Sequence, residues 1–525
     1  MKPRRCLPVV LGSSLLTVAL LAALPAPPQR QDAAVGKILA AALGPSPIEE
    51  NLRQLTDEIG GRMSGTPAMR RAVEWAVAAF RQAGVDTVHT EPFTLPSSWS
   101  EGATRLEVIA PNAFPVHAVS LGWSPPTPPG GLKADLVDVG MGTEAEFVRA
   151  RPASGSILLV HSQVIRTWAD LFDEYSRAPA ILDQAIASGA AAVLWMSSRE
   201  HQLLYRHVNN FLGRIDRLPQ ALVAREDAQR IARLLAAGRP VRVRLDLPNR
   251  IGGPVEERNV VAEIRGRERP EEIVLLGAHL DSWDLGTGAL DNGCNAALVI
   301  DAARALVAAG VRPRRTLRFV LWSGEEQGLI GSWRYVQQHR AELDRIVAYV
   351  NFDEGIGRVV GYSLGGRADI EPALREILEP IESWGAHAHT ADAFLGTDNF
   401  DFLLEGIPTL VATQEEHNYI TNYHASSDTL DKVDLQSLKR HTALAAVTVY
   451  GIAEREVRIG PRLTRSEVEA LLQRTGLDQQ MKRFGFWPLW ERGERGRQPE
   501  RNRSPASPAG VDEVHRHATG SIMSR

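Results

Sequence analysis

The chain has 525 residues, of which 44% are apolar and 23% charged, and a formal net charge of −4. This length exceeds that of one ordinary domain, and the apolar fraction is sufficient for a sizeable core. Because the net charge is slightly negative, the chain lacks the basic field that nucleic-acid binding requires. The sequence therefore predicts two packed domains and no nucleic-acid partner.

The amino-terminal stretch has the pattern of an export signal. Three basic residues near the start precede an apolar run, residues 7–26, that ends in small residues and proline. This pattern predicts a signal peptide over residues 1–26 and an exported protein, periplasmic or secreted. The run is also long enough to span a bilayer, so an uncleaved membrane anchor is the alternative. Cleavage would leave Cys294 as the single cysteine, so we expect no disulfide.

The next part of the chain alternates helices and strands. A helix is predicted to begin at Thr66-Pro67, an N-cap and first-turn pair, and to end at Gly84. A run rich in proline and glycine, residues 124–131, marks a boundary. We therefore assign residues 27–131 to the first part of a catalytic domain.

Residues 132–253 follow a different pattern. Short apolar strands alternate there with helices, one of them predicted over residues 180–188. We find no stretch in this region that gathers histidine and carboxylates at the spacing of metal ligands. The region is predicted to be an inserted domain that shapes or covers a site built elsewhere, and a purely structural insertion is the alternative.

The second part of the catalytic domain, residues 254–457, contains the residues that carry chemistry. A continuous apolar run beginning at Ile273 ends in His279 and Asp281, and a glycine-rich loop then leads to Asp291. Unbroken apolar runs are typical of buried strands in parallel sheets, which place their chemistry beyond the carboxyl ends of the strands. His279 and Asp281 lie at such an end.

Two further strands end in carboxylates. The run over residues 316–322 leads into Glu325-Glu326, and the run over residues 346–352 leads into Asp353. This repetition predicts an α/β fold with a mixed, mostly parallel β-sheet flanked by helices, and a cluster of acidic side chains at one edge.

Residues 458–525 are predicted to form a C-terminal extension that is partly disordered. A helix is expected over residues 465–474, and the stretch from Glu491 onwards is rich in Arg, Pro, Ser and Gly. The Trp and Phe residues near Trp487 are interpreted as covering a hydrophobic patch or an interface rather than binding substrate.

Clustered carboxylates without basic partners require cations to remain ionised. His279 precedes the cluster and His424 follows it, and mixed ligation by histidine and carboxylate suits zinc. If one carboxylate bridges, five protein ligands suffice for two metal ions that share a water. A further carboxylate must then accept a proton from that water, and the adjacent Glu325 and Glu326 fit a division into one base and one ligand.

These motifs carry a family resemblance. The chain resembles the co-catalytic zinc exopeptidases that include the bacterial aminopeptidases, and most closely the carboxypeptidase Q (plasma glutamate carboxypeptidase) group. The likeness covers about residues 47–454 and rests on an ordered set: Arg62-Met-Ser-Gly65-Thr, His279-x-Asp281, Asp291-Asn292-Gly293, Glu325-Glu326, Asp353 and Tyr423-His424. It implies the zinc exopeptidase fold, a protease-associated domain as the insertion, and homodimers.

The resemblance also implies a set of metal ligands. Asp291 would bridge two zinc ions per subunit. His279 and Asp353 would complete one site, and Glu326 and His424 the other. From the sequence alone, His417 is an alternative to His424, although His424 precedes an Asp-Thr pair that His417 lacks.

Two further residues receive roles from the resemblance. Glu325 would be the general base and acid, and Asp281 would orient His279 without binding metal. The peptide bond between Asp291 and Asn292 is expected to be cis. Asn292 departs from the family, where a second Asp often stands, which bears on substrate preference more than on metal binding.

The sequence thus predicts an exported zinc exopeptidase that hydrolyses dipeptides or removes N-terminal residues from short peptides, through a water shared by two metals and Glu325. Two alternatives remain. A glutaminyl cyclase on the same scaffold would be an acyltransferase with one zinc ion. A receptor or binding module on this fold would have lost its metals.

Overall fold

The computed structural model describes residues 29–499, with side chains from residue 33 onwards. The predicted signal peptide and residues 500–525 lie outside the described residues. Among the helices that are described, none is both long enough and apolar enough to cross a bilayer.

The β-strands form three sheets. In chain order they are β1 (Thr87–Leu95), β2 (Trp99–Ser100), β3 (Arg105–Ala110), β4 (Phe114–Val116), β5 (Ala118–Ser120), β6 (Leu132–Asp138), β7 (Ile157–Val160), β8 (Ala192–Met196), β9 (Gln220–Val223), β10 (Arg242–Asp246), β11 (Arg250–Ile251), β12 (Val255–Ile264), β13 (Arg269–His279), β14 (Arg315–Trp322), β15 (Ile346–Asn351), β16 (Val359–Ser363) and β17 (Thr409–Gln414). The sheets have the orders β1-β12-β14-β13-β15-β17-β16, β4-β3-β10-β6-β7-β8-β9-β5 and β11-β2.

The α-helices are distributed along the whole described chain. They are α1 (Gln29–Leu43), α2 (Ile48–Arg53), α3 (Pro67–Ala83), α4 (Glu144–Ala150), α5 (Trp168–Ala187), α6 (Arg225–Ala236), α7 (Cys294–Ala308), α8 (Ile330–Gln338), α9 (Glu371–Leu378), α10 (Asn399–Leu404), α11 (Tyr419–Asn422), α12 (Leu435–Glu454), α13 (Arg465–Thr475), α14 (Leu477–Arg483) and α15 (Trp487–Glu491). The mixed α/β class predicted from the sequence is confirmed.

The seven-stranded sheet is the centre of the fold. Its adjacent strands β14, β13, β15 and β17 run parallel, and its other pairings are antiparallel. His279 pairs with Trp322 and Gly277 pairs with Asn351, so the carboxyl ends of three strands meet at one edge. The three acidic stretches that follow these strands are therefore brought together by register alone.

Two helices, α7 and α12, cover one face of this sheet. Helix α7 is apolar nearly all round, and its residues from Cys294 to Ala303 are buried because it packs against the sheet and against α12. Helix α3 starts as predicted, with the Thr66 hydroxyl accepting the Met69 N–H at 3.2 Å, and ends at Gly84. These apolar helices fix the strands that carry the acidic stretches.

The second sheet is built mainly from the segment predicted to be an insertion. Its strands β6, β7, β8 and β9 are parallel, and β5, β10, β3 and β4 pair antiparallel. The sequence assigned residues 104–120 to the first part of the catalytic domain. This boundary is corrected, because β3 and β4 join through β10, and β5 pairs with β9. The second sheet begins at Arg105 rather than after residue 131.

Helix α5 is much longer than the helix predicted over residues 180–188. It begins at Trp168, where the Thr167 side chain and Asp170 form a capping box, and it continues through Pro179. Proline removes one helical hydrogen bond, but the buried face of the helix offsets that loss. The additional turns, about three in number, bring residues of this region towards the sheet edge.

The C-terminal segment, residues 465–499, is ordered against the catalytic domain. The prediction of disorder from Glu491 onwards is wrong for the described residues, because Arg495 is fully buried. Its guanidinium forms a two-pronged ion pair with the equally buried Asp401, with N–O distances of 2.7 and 2.8 Å, and stacks over Phe486. This ion pair fastens the segment to helix α10.

We expect Asp401→Ala to lower the free energy of unfolding by about 3–5 kcal/mol, because it leaves the Arg495 charge buried without a partner. Glu415→Ala is the matched control. It removes the exposed partner of Arg358 and should cost no more than about 1 kcal/mol. Urea unfolding followed by tryptophan fluorescence measures both. Equal costs would contradict the role assigned to the buried pair.

Candidate active site

The predicted site residues meet at the carboxyl edge of the central sheet. His279 is the last residue of β13, Glu325 and Glu326 follow β14, and Asp353 lies two residues after β15. His424 lies in the loop between α11 and α12. Four different segments thus contribute to one place, as expected for strand ends in a parallel arrangement.

Five of these side chains form two groups that share Asp291. His279, Asp291 and Asp353 make one group, and Asp291, Glu326 and His424 the other, with the ligand atoms of each group within 4.8 Å of one another. Asp291 Oδ1 lies 3.1 Å from His279 Nε2, and its Oδ2 lies 3.3 Å from His424 Nε2. Asp291 therefore presents one oxygen to each group.

The donor atoms of this cluster fit a metal centre. Asp291 Oδ2, Glu326 Oε1 and Asp353 Oδ1 are buried and accept no hydrogen bond. His279 Nε2 lies 3.0 Å from Asp353 Oδ1, but the two atoms are not aligned as a hydrogen bond. Buried acceptors without donors are costly, and a set of two imidazoles and three carboxylates is one that zinc accepts. The residues present therefore fit zinc.

The pKa values of the cluster show how much negative charge is gathered. Burial raises the pKa of Glu326 to about 7 and also raises the pKa of Asp353. Burial lowers the pKa of His424, but Glu326 and Asp291 outweigh it and raise that pKa to about 9. At the imidazole of His424, the effect of the neighbouring carboxylates on the pKa is thus larger than the effect of burial. Such a site favours cations, which would displace these protons on binding.

Glu325 belongs to neither group. Its side chain is partly exposed and lines two adjoining cavities beside the cluster. Burial and the neighbouring charges of Asp353 and Glu326 raise its pKa well above the usual range, against the opposing charge of His279. It is the one member of the predicted set placed to face a substrate rather than a metal.

The structure alters the role predicted for the Asp281 side chain. His279 Nδ1 lies 2.9 Å from the main-chain carbonyl of Asp281, whereas the nearest carboxylate oxygen is 3.7 Å away. The carboxylate instead accepts the main-chain N–H groups of Glu325 and Glu326 at 3.3 and 3.4 Å. Asp281 thus orients His279 through its backbone and holds the glutamate loop with its side chain.

Two buried residues hold the loop that carries Asp291. The peptide bond between Asp291 and Asn292 is cis, as expected. The Asp428 carboxylate accepts the N–H groups of Leu290 and Asp291 at 2.7 and 3.1 Å. Arg62 donates to the carbonyls of the same loop, including that of Gly288 at 2.9 Å. This explains why the Arg62 motif and the Asp428 context accompany the ligands in the sequence.

Tyr175 is a neighbour of the cluster that sequence reasoning did not identify. Its hydroxyl lies 3.3 Å from His424 Nδ1 and 3.3 Å from the Tyr423 hydroxyl. In the tautomer that leaves Nε2 of His424 free for a metal, Nδ1–H donates to the Tyr175 oxygen. Tyr175 is in α5, almost 250 positions upstream of His424, and no local sequence motif predicts the contact.

Two other residues weighed in the sequence lie outside the cluster. His417 is exposed and belongs to neither ligand group. Cys294 is fully buried at the start of α7, and burial raises the pKa of its thiol far above the usual value. Cys294 therefore behaves as a small core residue.

The fold and the donor set together define a zinc metallopeptidase, which makes the protein a hydrolase. Its catalytic region, residues 259–449, matches the model of peptidase family M28. This match spans all five cluster residues and Glu325. It confirms the resemblance to the co-catalytic zinc exopeptidases.

Relatives support this assignment along most of the chain. Human carboxypeptidase Q is 28% identical over 412 residues, covering 78% of this chain and 85% of that protein. The peptidase M28 precursor from Shewanella amazonensis SB2B has a TM-score of 0.73 at 27% identity, covering 83% of this chain and 99% of the other. A zinc aminopeptidase from Bacillus subtilis shares the fold, with a TM-score of 0.62 at 21% identity, covering 80% and 97%.

We expect Tyr175→Phe to weaken zinc binding by about 10-fold or more, because it removes the acceptor that orients His424. Tyr205→Phe is the control, since Tyr205 is a buried tyrosine whose hydroxyl contacts Glu174 and Ser198 instead. Competition with a chromophoric chelator measures zinc affinity in both variants. Equal affinities in the two variants would show that the contact does not position His424.

Proposed function

We propose that this protein is an exported zinc exopeptidase that hydrolyses dipeptides or removes the N-terminal residue of short peptides, using two zinc ions. One observation carries the proposal: Asp291 is shared between two complete ligand groups while Glu325, free of both, faces the adjoining cavities. His279 and Asp353 would hold one ion, Glu326 and His424 the other, and Asp291 both.

Each residue of the centre then has a defined task. Zinc supplies a Lewis acid that polarises the scissile carbonyl and lowers the pKa of water. Glu325 accepts a proton from the attacking water and returns it to the leaving amine. Asp281 keeps Glu325 in place through the hydrogen bond to its main-chain N–H.

The charge of one cavity supports recognition of a free amino terminus. This acidic cavity includes His279 and Asp353 in its lining, and Glu354 and Asp392 add two further carboxyl groups, although burial raises the pKa of Glu354 to about 8. Its lining, taken from the described part of the chain, includes no lysine or arginine. An ammonium group is therefore attracted there, whereas a terminal carboxylate would find no basic partner.

Further features of the proposal rest on the relatives and on the sequence. Residues 105–246 would form a protease-associated domain, whose helix α5 borders the catalytic centre. Export would follow from the predicted signal over residues 1–26, and a homodimer is proposed from the likeness to carboxypeptidase Q. A cyclase would need only one of the two ligand groups, and a binding module would need neither. The presence of both groups favours the peptidase.

The first test measures the hydrolysis of a free dipeptide, its N-acetyl form and its C-terminal amide by the mature chain. We expect cleavage of the free dipeptide and of the amide, loss of both activities on chelation, and recovery with zinc. Acetylation should abolish cleavage because it removes the ammonium group. Cleavage of the N-acetyl form alone would contradict the proposed polarity, and one zinc ion per chain with cyclisation of N-terminal glutamine would favour the cyclase.

Glu325→Gln tests the proton transfer separately. We expect kcat to fall by about 10²–10⁴-fold, because an amide cannot accept the proton. The zinc content should stay at two ions per chain, since Glu325 lies outside both ligand groups. Steady-state kinetics and metal analysis of the same preparation give the two values. A variant that retains wild-type kcat would remove Glu325 from the mechanism.

A further inference from the structure

A second cavity adjoins the acidic cavity beside the ligand groups and has a different character. This apolar cavity is walled by Phe172, Tyr175, Phe211, Leu395, Phe484 and Phe486. Glu325 and His424 line both cavities, whereas Glu326 lines only the apolar cavity and His279 and Asp353 line only the acidic one. The two cavities therefore adjoin at Glu325 and His424, and the additional residues of one are mainly apolar while those of the other include carboxyl groups.

Part of the wall comes from the C-terminal segment, which lies beyond the family match. Phe484 is partly exposed and packs edge-on against Phe211 at 5.3 Å, so the segment meets the loop after β8 above the cavity. Phe486 is 1% exposed and packs on Phe400 at 5.9 Å. The sequence interpreted these aromatic residues as covering a patch or an interface. In the structure, two of them border the catalytic centre.

Arg495 ties this wall to the catalytic loop. Besides its ion pair with Asp401, the guanidinium donates to the Gly328 carbonyl at 3.3 and 3.4 Å. The Gly328 N–H in turn donates to the main-chain carbonyl of Glu325 at 2.8 Å. The C-terminal segment is thus anchored three residues from the proposed base.

On the basis of the proposed function, the positions of the two cavities indicate where each residue of a peptide substrate binds. An amino terminus in the acidic cavity puts the scissile carbonyl at Asp291, between the two ligand groups. The residue that follows the scissile bond then lies on the side of Glu326 and His424, where the apolar cavity opens. Among the residues that the structure describes, its walls contain no lysine or arginine, and no carboxylate apart from Glu325 and Glu326.

We propose that the apolar cavity binds a large apolar or aromatic side chain of the residue after the scissile bond, and that Phe484 and Phe486 of the C-terminal segment determine this specificity. Burial of such a side chain between aromatic rings is favourable, whereas a negatively charged side chain would lose water without gaining a basic partner. The leaving residue is therefore selected by a part of the chain outside the catalytic domain.

The test compares kcat/KM for Ala-Phe, Ala-Ala and Phe-Ala. The wild-type protein should prefer Ala-Phe to Ala-Ala, and Phe484→Ala should reduce that ratio about 10-fold, mainly through KM, because one wall of the cavity is removed. Trp487→Ala is the matched control. Trp487 is an aromatic residue of the same segment that contacts Lys482 and Glu491 and does not line the cavity, so the ratio should not change.

Binding of the free product separates this proposal from the proposed function. Calorimetry on zinc-loaded protein should show tighter binding of L-phenylalanine than of L-alanine, and Phe484→Ala should remove the difference. Selective binding without hydrolysis of any dipeptide would support the cavity and overturn the peptidase. Hydrolysis with no preference for Ala-Phe over Ala-Ala in the wild-type protein would overturn the cavity alone. If Phe484→Ala unfolds the segment, Phe484→Leu replaces it in this test. Because leucine keeps a smaller apolar wall, this variant should show a reduced but measurable preference for Ala-Phe over Ala-Ala.

Discussion

The structure depends on the close approach of three buried carboxylates, those of Asp291, Glu326 and Asp353, at one edge of a sheet. Such an arrangement is unfavourable unless positive charge compensates it. Two imidazoles contribute part of that compensation, and their Nε2 atoms point at the same carboxylates. The remaining acceptor capacity is matched to metal ions, so metal binding and the stability of this region are coupled.

The surrounding hydrogen bonds make this geometry rigid. Asp428 and Arg62 both hold the Asp291 loop, and the Asp281 carboxylate holds the glutamate loop. None of these three residues belongs to a ligand group, yet each fixes main-chain atoms beside one. A site that must keep several like charges within a few ångströms needs this support, because small displacements change both metal affinity and proton transfer.

Three parts of the chain share the space around the metal cluster. The catalytic sheet supplies the ligands, helix α5 supplies Tyr175, and the C-terminal segment supplies Phe484. The chemistry is therefore set by the sheet, while the peripheral parts shape what can reach it. This division is common in enzymes, where a conserved scaffold carries the reaction and variable surrounding segments select the substrate.

The sequence by itself determined the elements that carry the chemistry. Apolar runs ending in His279, Glu325-Glu326 and Asp353 identified the strands and their reactive ends, because periodicity and strand-end polarity are local properties. Only the tertiary structure decided contacts between distant segments. The pairing of β3 with β10, the contact of Tyr175 with His424, the buried partner of Arg495 and the place of Phe484 all join residues more than 90 positions apart. Such contacts arise from packing of the whole chain, which no local pattern encodes.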